Sequence, residues 1–139
     1  MSPELEKTLF EQFPALFKGR DRSLQESLMA FGCEHSDGWF NIIRAMCMEI
    51  DARLKSMKEP FNYEFVQIKE KFGTLRVYDN GHDDKIAGII GMAESMSSMT
   101  CEFTGRPGRL CRSGSWYRTL CDEEAKNHGY VLAPSPENF

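Results

Sequence analysis

The segment from residue 37 to residue 57, DGWFNIIRAMCMEIDARLKSM, decides the fold class of the chain. Its apolar side chains recur at steps of three and four residues, which is the spacing of one face of an α-helix. Charged residues such as Arg44 and Glu49 occupy the other faces. The pattern predicts an amphipathic helix whose apolar stripe, with Trp39 in the hydrophobic core, packs inward. The stripe consists of Trp39, Ile42, Ile43, Met46, Cys47, Ile50, Leu54 and Met57.

After this helix the hydrophobic pattern changes to that of β-strands. Residues 61–70 are rich in aromatic and β-branched side chains, and residues 74–78 alternate between apolar and polar. The tripeptide Lys71-Phe72-Gly73 separates the two segments, so a β-hairpin with a glycine-containing turn is predicted.

A second amphipathic helix is expected from about residue 83 to residue 99. His82-Asp83-Asp84 precedes it, and this triplet is interpreted as a helix N-cap with acids that favour the helix dipole, although it also resembles a metal-binding triplet. Gly88 and Gly91 each destabilise a helix by up to about 1 kcal/mol, so close packing is the expected reason for their presence.

The remaining predicted elements are short. They are a helix that begins at Ser2-Pro3-Glu4, a helix over 23–31, strands over 109–112 and 116–120, a helix over 122–128 and a loose tail at 133–136. Together the elements predict an α+β fold: helices packed on a small antiparallel β-sheet, with a ribbon-like C-terminal subdomain. Residues 1–100 would form the helical and β-hairpin core and residues 101–139 the subdomain, in one compact unit.

The amino-acid composition argues against several classes of function. The 139 residues include 17 Lys and Arg against 21 Asp and Glu, which gives a formal charge of −4 and argues against non-specific coating of DNA. The chain has no apolar run long enough to cross a bilayer and no signal-peptide pattern at its N-terminus, so no membrane partner and a cytoplasmic location are expected. The five cysteines are then interpreted as reduced thiols.

A set of motifs resembles a family of small, uncharacterised phage and bacterial proteins. The motifs are Asp37-Gly38-Trp39, then residues 69–76 (KEKFGTLR), then CExxGxPG from Cys101, and finally WxxTLC from Trp116. The resemblance covers about residues 30–125. It implies an origin and a layout, and it carries no established activity.

In that family the C-terminal pattern resembles a small zinc ribbon, with paired ligands on two knuckles. Here Cys101 is followed at the third position by Thr104, and Cys121 by Glu124, so half of the ligands are missing. Cys101 and Cys121 remain as candidate zinc ligands, and Cys111 and His128 could substitute for the missing ones. The alternative is a ribbon without cofactor, held by side-chain packing, with Cys101 and Cys121 adjacent in space.

Catalytic motifs are sparse. Cys33, His35 and Asp37 invite interpretation as a nucleophile with its base, but such groups normally come from separate elements, and a loop with Asp37 as N-cap is the better interpretation. No phosphate loop, nucleophile elbow or dinucleotide fingerprint is present. An enzyme, with Glu70 or Glu94 as its acid, is therefore a lesser hypothesis than a binding protein.

A distributed group of basic and aromatic residues is the strongest functional signal. Arginine forks bind phosphate, and aromatic faces stack on nucleobases. The simpler interpretation is a set of solvent-facing strand positions whose cations pair with acids elsewhere. The candidate ligand-binding residues are Lys69, Lys71, Arg76, Tyr78, Arg106, Arg109, Trp116 and Arg118, with Phe72 and Arg112 nearby.

These features favour a non-catalytic, phage-type accessory protein that counters a host defence by binding. It would sequester a small anionic, nucleotide-type immune signal, in a pocket completed by a neighbouring subunit, or block a host protein. The alternatives are a nucleic-acid-binding module that uses the C-terminal ribbon and a small hydrolase or transferase that acts on a nucleotide.

Overall fold

The computed structural model describes residues 1–134, and over that range the chain has four α-helices and two three-stranded sheets, as the predicted α+β class requires. The helices are α1 (Pro3–Gln12), α2 (Phe40–Ser56), α3 (Asp84–Ser97) and α4 (Asp122–Asn127). The strands are β1 (Cys33–Glu34), β2 (Phe65–Lys71), β3 (Thr74–Asp79), β4 (Arg109–Ser113), β5 (Trp116–Leu120) and β6 (Val131–Leu132). None of these helices has the length and apolar content needed to cross a bilayer.

Helix α2 packs its apolar stripe into the main core, as predicted. Trp39, in the turn just before the helix, has no exposed surface, and its indole N–H donates to the carbonyl of Thr100 over 2.9 Å. Ile43 and Ile50, seven residues apart on one helix face, are also fully buried. The core position predicted for Trp39 is confirmed, and truncation of such a side chain typically destabilises a fold by about 3–5 kcal/mol.

Strands β2 and β3 form the predicted antiparallel hairpin, and β1 adds a parallel strand beside β2. Ile68 lies opposite Val77 in this sheet, and both side chains are buried. Lys69 lies opposite Arg76. Because successive strand residues point to opposite faces, Lys69 and Arg76 share the face that is turned away from the core.

Helix α3 runs antiparallel to α2, and its N-terminus is capped as predicted. Asp83 Oδ1 accepts the backbone N–H of Ile86 at 2.9 Å, while Oδ2 accepts two hydrogen bonds from the Arg53 guanidinium on α2. Gly88 and Gly91 were expected to allow close packing, and for contacts inside this chain that expectation is wrong. A Cβ atom added at either position would meet no atom within 4 Å.

The C-terminal part, residues 101–134, is called the ribbon below. Its sheet has β4 between β5 and β6, and it docks on the hairpin turn: the Thr119 hydroxyl donates to the Gly73 carbonyl over 2.7 Å, and Gly73 forms a β-bridge with Arg118. Gly73 has a φ of +88°, and a Cβ atom there would lie 2.7 Å from Leu110 Cδ1, so the junction requires glycine. The ribbon has its own small core of Cys101, Cys111, Leu120 and Ala125.

The N-terminal connection differs from its prediction. The helix expected over 23–31 is absent: a 3₁₀ turn at Met29–Phe31 is preceded by ordinary turns. The sheet edge competes for this backbone, because the N–H of Leu28 donates to the carbonyl of Val66. Asp37 is also not the N-cap of α2, since its carboxylate accepts the backbone N–H of Ser2 over 2.7 Å.

Two short strands were not expected from the sequence. β1 and β6 contain two residues each, too few to show an alternating pattern. The strand β2 begins at Phe65, four residues later than predicted. Ala133, expected in a loose tail, is buried, and its N–H donates to the Leu110 carbonyl over 2.9 Å, whereas residues 135–136 lie outside the described range.

Candidate binding surface

The outward side of the β2–β3 hairpin gathers four of the predicted site residues. Lys69 lies opposite Arg76, Lys71 opposite Thr74, and Tyr78 opposite Gln67. Opposite residues of an antiparallel pair project to the same side of the sheet. Lys69, Lys71, Arg76 and Tyr78 therefore share one surface, which is called the basic face below.

The cations of the basic face have no carboxylate partner in the described part of the chain. Within residues 1–134 no Asp or Glu oxygen lies within 4.0 Å of the side-chain nitrogens of Lys69, Lys71 or Arg76. Arg76 Nη1 donates only to neutral groups, the Thr74 hydroxyl at 2.7 Å and the Leu75 carbonyl at 3.1 Å. Within residues 1–134 the face also holds one carboxylate, because Glu34 of β1 lies beside Lys69 and accepts a hydrogen bond from Gln67 Nε2 over 3.2 Å. The described part of the face therefore carries more cations than carboxylates, and none of these cations forms an ion pair within 4.0 Å.

Three of the four arginines of the ribbon are held differently, each paired with a carboxylate. Arg118 Nη1 lies 2.8 Å from Glu102 Oε1, and the Glu102 side chain is almost fully buried. Burial disfavours the charged guanidinium, but the charge of Glu102 and hydrogen bonds outweigh it, so the pKa of Arg118 is raised. Arg106 pairs with Glu123 and Arg109 with Asp122, each over 3.3 Å. These last two pairs are exposed and weak, while the first is structural.

Three aromatic side chains among the residues considered for binding are exposed. Tyr78 lies on the basic face, Phe72 is 69% exposed in the hairpin turn, and Trp116 is 74% exposed on β5. The Gly73–Arg118 bridge joins that turn to β5, so Phe72 and Trp116 both lie within a few residues of the junction between the two sheets. The hairpin turn and β5 thus meet at one junction, whereas Tyr78 lies near the opposite end of the hairpin.

An apolar groove between α2 and α3 is a second concave surface, and sequence reasoning missed it. Its volume is about 860 Å³, within the range of ligand pockets. Polar groups lie at its ends, with Lys85 and Glu49 at one of them. The signal in the sequence was Gly88, which opens space over α3, together with the row of methionines. The apolar lining is Ile42, Ala45, Met46, Ala52, Gly88, Ile89, Met92, Ala93 and Met96.

The candidate zinc ligands Cys101 and Cys121 lie together, at the start of the ribbon and of α4. The Thr104 hydroxyl is 3.8 Å from the Cys121 sulfur, and Glu124 is turned toward His128, with 3.1 Å between oxygen and nitrogen. Within residues 1–134, no three His, Cys, Asp or Glu side chains form a group able to hold a metal ion. The residues present therefore do not fit a four-ligand zinc site.

The Cys101 sulfur lies in a ring of hydrogen-bond donors. Burial opposes ionisation of this thiol, but hydrogen bonds from the Thr104 hydroxyl and from the backbone N–H groups of Cys121, Thr104 and Phe103 outweigh it, so the pKa of Cys101 is lowered. Cys111, considered as a substitute ligand, instead directs its sulfur to the carbonyl of Arg109 at 3.2 Å.

The acid–base clusters considered from the sequence do not assemble. Burial raises the pKa of Cys33 to about 12, so its thiol is inert. His35 Nδ1 lies 2.8 Å from the Ser36 carbonyl, which must accept, so Nδ1 carries the proton and Nε2 is unpartnered and buried. His35 belongs to the wall of the main core, where its ring packs against Trp39.

The two carboxylates considered as catalytic acids each accept a hydrogen bond from a backbone N–H group. Glu70 Oε1 accepts the N–H of Gly73 at 2.9 Å and so fixes the hairpin turn. Glu94 Oε2 accepts the N–H of Val77 at 3.1 Å and links α3 to β3. In the triplet His82-Asp83-Asp84, Asp83 caps the N-terminus of α3, as predicted. These contacts give each carboxylate a structural role.

Comparison of the chain with protein-family models, curated proteins and solved structures finds no match.

Proposed function

We propose that the protein acts by binding, without catalysing a reaction, and that its basic face captures a phosphate-bearing ligand of nucleotide type. The observation that carries this proposal is the group of three cations, Lys69, Lys71 and Arg76, on one strand face without a carboxylate partner within residues 1–134. Three cations against the single carboxylate of Glu34 leave this face net positive, so it attracts an anion. The exposed rings of Tyr78 and Phe72 supply stacking surfaces for a base.

Arg76 is the central group of the proposed site. Two neutral acceptors already hold its Nη1 atom, which orients the guanidinium over the sheet. Its other N–H groups have no hydrogen-bond partner within residues 1–134, and we propose that they bind a phosphate bidentately. Lys69, directly opposite, adds a second charge, and Tyr78 offers a ring two residues further along β3. The spacing suits a ligand that combines phosphate with an aromatic base.

The basic face is an open surface, and a second copy of the chain would help to enclose a small ligand. Two cationic faces repel each other when empty and are drawn together by an anion between them, so a homo-oligomer would form with the ligand. The wider proposal, which follows the resemblance expected from the sequence motifs, is an anti-defence role in the host cytoplasm through sequestration of a nucleotide immune signal.

Calorimetry with ATP, a cyclic dinucleotide and inorganic phosphate as probes tests the proposal. Arg76→Ala should weaken binding of the responding nucleotide by about 10- to 100-fold, because it removes a charge-assisted contact. Arg112→Ala is the matched control: it removes the same charge from an exposed position on the other sheet. Equal losses in both variants would show non-specific attraction and refute the assignment of the basic face.

The same assay separates the alternatives. Recovery of a hydrolysed nucleotide would replace binding by catalysis. Tighter binding of a single-stranded oligonucleotide than of any nucleotide, with affinity falling steeply with salt, would favour a nucleic-acid-binding module. The ribbon alone is a weaker candidate for that role, since Arg106, Arg109 and Arg118 are already paired with carboxylates.

A second candidate function is the blocking of a host protein through the apolar groove. Exposed Met92 and Met96 on its wall support this, because flexible thioether side chains adapt to protein partners. Gly88→Glu would place a charge in the groove without a clash inside the chain, and Gly91→Glu is its control, equally unobstructed and outside the groove lining. A partner cross-linked to the groove should be lost in the first variant and kept in the second.

A further inference from the structure

Cys101 and Cys121, the remaining cysteines of the two incomplete zinc knuckles, lie near each other in the ribbon. The Thr104 hydroxyl donates to the Cys121 sulfur over 3.8 Å, and the same hydroxyl and the Cys121 N–H are among the groups that lower the pKa of the Cys101 thiol. The backbones run side by side: a Cβ atom on Gly108 would lie 2.8 Å from the Cys101 nitrogen and 3.0 Å from the Leu120 carbonyl carbon. A disulfide requires this kind of proximity.

The two thiols differ in their access to solvent. Cys121 is half-buried and forms part of the wall of a surface depression of about 500 Å³, between Arg106 and Arg109. Cys101 lies behind it with no exposed surface. A small oxidant can therefore reach Cys121 directly, while Cys101 is placed to attack from the protein side.

We propose that Cys101 and Cys121 form a modification site, at which a peroxide oxidises them to a disulfide that cross-links the two knuckles where the ribbon lacks a metal ion. In the first step the Cys121 thiolate attacks the peroxide ROOH, which gives the sulfenic acid and releases ROH after protonation. In the second step the Cys101 sulfur attacks the Cys121 sulfur and releases water. Two thiols and one ROOH thus give one disulfide, ROH and H₂O.

The other cysteines lack this arrangement. Cys33 and Cys47 lie in the main apolar core, where burial raises the pKa of each thiol. Cys111 is close to the pair but points to a backbone carbonyl, and burial raises its pKa as well. Selective oxidation of one pair among five cysteines is therefore expected.

The test is oxidation of the folded full chain with hydrogen peroxide, followed by alkylation of the remaining thiols and digestion with trypsin without reduction. The three ribbon cysteines fall in separate peptides, residues 86–109, 110–112 and 119–126, because trypsin does not cleave the Arg106–Pro107 bond. We expect a product that joins 86–109 to 119–126, lighter than their sum by two hydrogens and formed about tenfold faster than any oxidation of Cys111.

Substitutions separate the proposal from incidental oxidation. Cys121→Ser should abolish the cross-link and Cys111→Ser should leave it, while Thr104→Ala, which spares every cysteine, should slow it several-fold. The cross-link should also raise the melting temperature by about 5 °C and be reversed by dithiothreitol. Two outcomes would overturn the proposal. One is over-oxidation of Cys121 while Cys101 remains a free thiol that the alkylating reagent labels, and the other is a cross-link through Cys111.

Discussion

The hairpin sheet and the ribbon both carry basic side chains at their surfaces, yet they use them in opposite ways. On the hairpin, Lys69, Lys71 and Arg76 have no carboxylate partner within residues 1–134. On the ribbon, Arg118 is locked against the buried Glu102, while Arg106 and Arg109 form exposed pairs. The number of cations in a segment therefore says less about ligand binding than the presence or absence of a partner for each one.

The largest effect expected from this comparison is on stability. Arg118→Ala would leave the buried Glu102 carboxylate without its cation and should destabilise the fold by about 2–3 kcal/mol, less than a fully buried pair because Arg118 is about one-third exposed. Urea unfolding measures the change. Arg109→Ala, which opens an exposed pair, should change the free energy of unfolding by less than about 0.5 kcal/mol. Similar losses in both variants would contradict the distinction.

A second effect concerns pH, at His35, next to a second contact of the ribbon in which the Ser36 N–H donates to Glu102 over 3.0 Å. Burial lowers the pKa of His35, against the opposing influence of the Ser36 carbonyl and of the charges of Glu102 and Asp37. The folded state therefore binds the proton less well than the unfolded chain. Stability should be complete above about pH 6.5 and fall as the pH drops below that value, by at most about 1.4 kcal/mol per pH unit.

Unfolding curves between about pH 7.5 and pH 5 measure this dependence. His35→Gln should flatten it, because the buried imidazole is gone. His128→Gln is the matched control, because it removes an exposed imidazole on the ribbon instead of the buried one. If both variants keep the slope of the parent protein, other groups cause the pH dependence.

The smallest effect on stability, and a sharp one on binding, is expected at Trp116. Its side chain is 74% exposed, so Trp116→Ala should change the free energy of unfolding by less than about 0.5 kcal/mol. If the ring stacks on a base, the same substitution should weaken nucleotide binding by about 5- to 100-fold in calorimetry. Phe31→Ala, an exposed aromatic outside the basic face, should affect neither quantity, and a large loss of stability in Trp116→Ala would make that residue part of the scaffold.

Local periodicity predicted the main body well. The α2 stripe extends over five turns, and the change to strand alternation is abrupt, so the helix, the hairpin and the capped α3 could be read directly from the sequence. The two-residue strands could not, because β1 forms only when residues 33–34 meet β2 more than thirty positions later. The pairing along residues 23–28 was missed for the same reason: a bond to Val66 replaces the expected helix.

In the candidate site, too, contacts between residues far apart in the sequence could not be predicted. Residue type identified Lys69, Arg76 and Tyr78 as candidates, but their position on one face follows from the register of β2 against β3. The neutralisation of the ribbon arginines depends on contacts such as Arg118 to Glu102, 16 positions apart, which only the three-dimensional register supplies. The apolar groove was hidden because Gly88 indicates close packing in a sequence, whereas in the fold it leaves space open.

The glycine at the junction has a consequence for how this surface can change over generations. A side chain at Gly73 would be strained by the φ of +88° and would crowd Leu110 Cδ1 and the backbone of Arg118, so the fold favours glycine at this position. Lys69 and Tyr78, a few positions away, project outward and contact no such obstacle. Substitutions on the exposed strand face can therefore change its chemistry while the attachment of the two sheets stays constant.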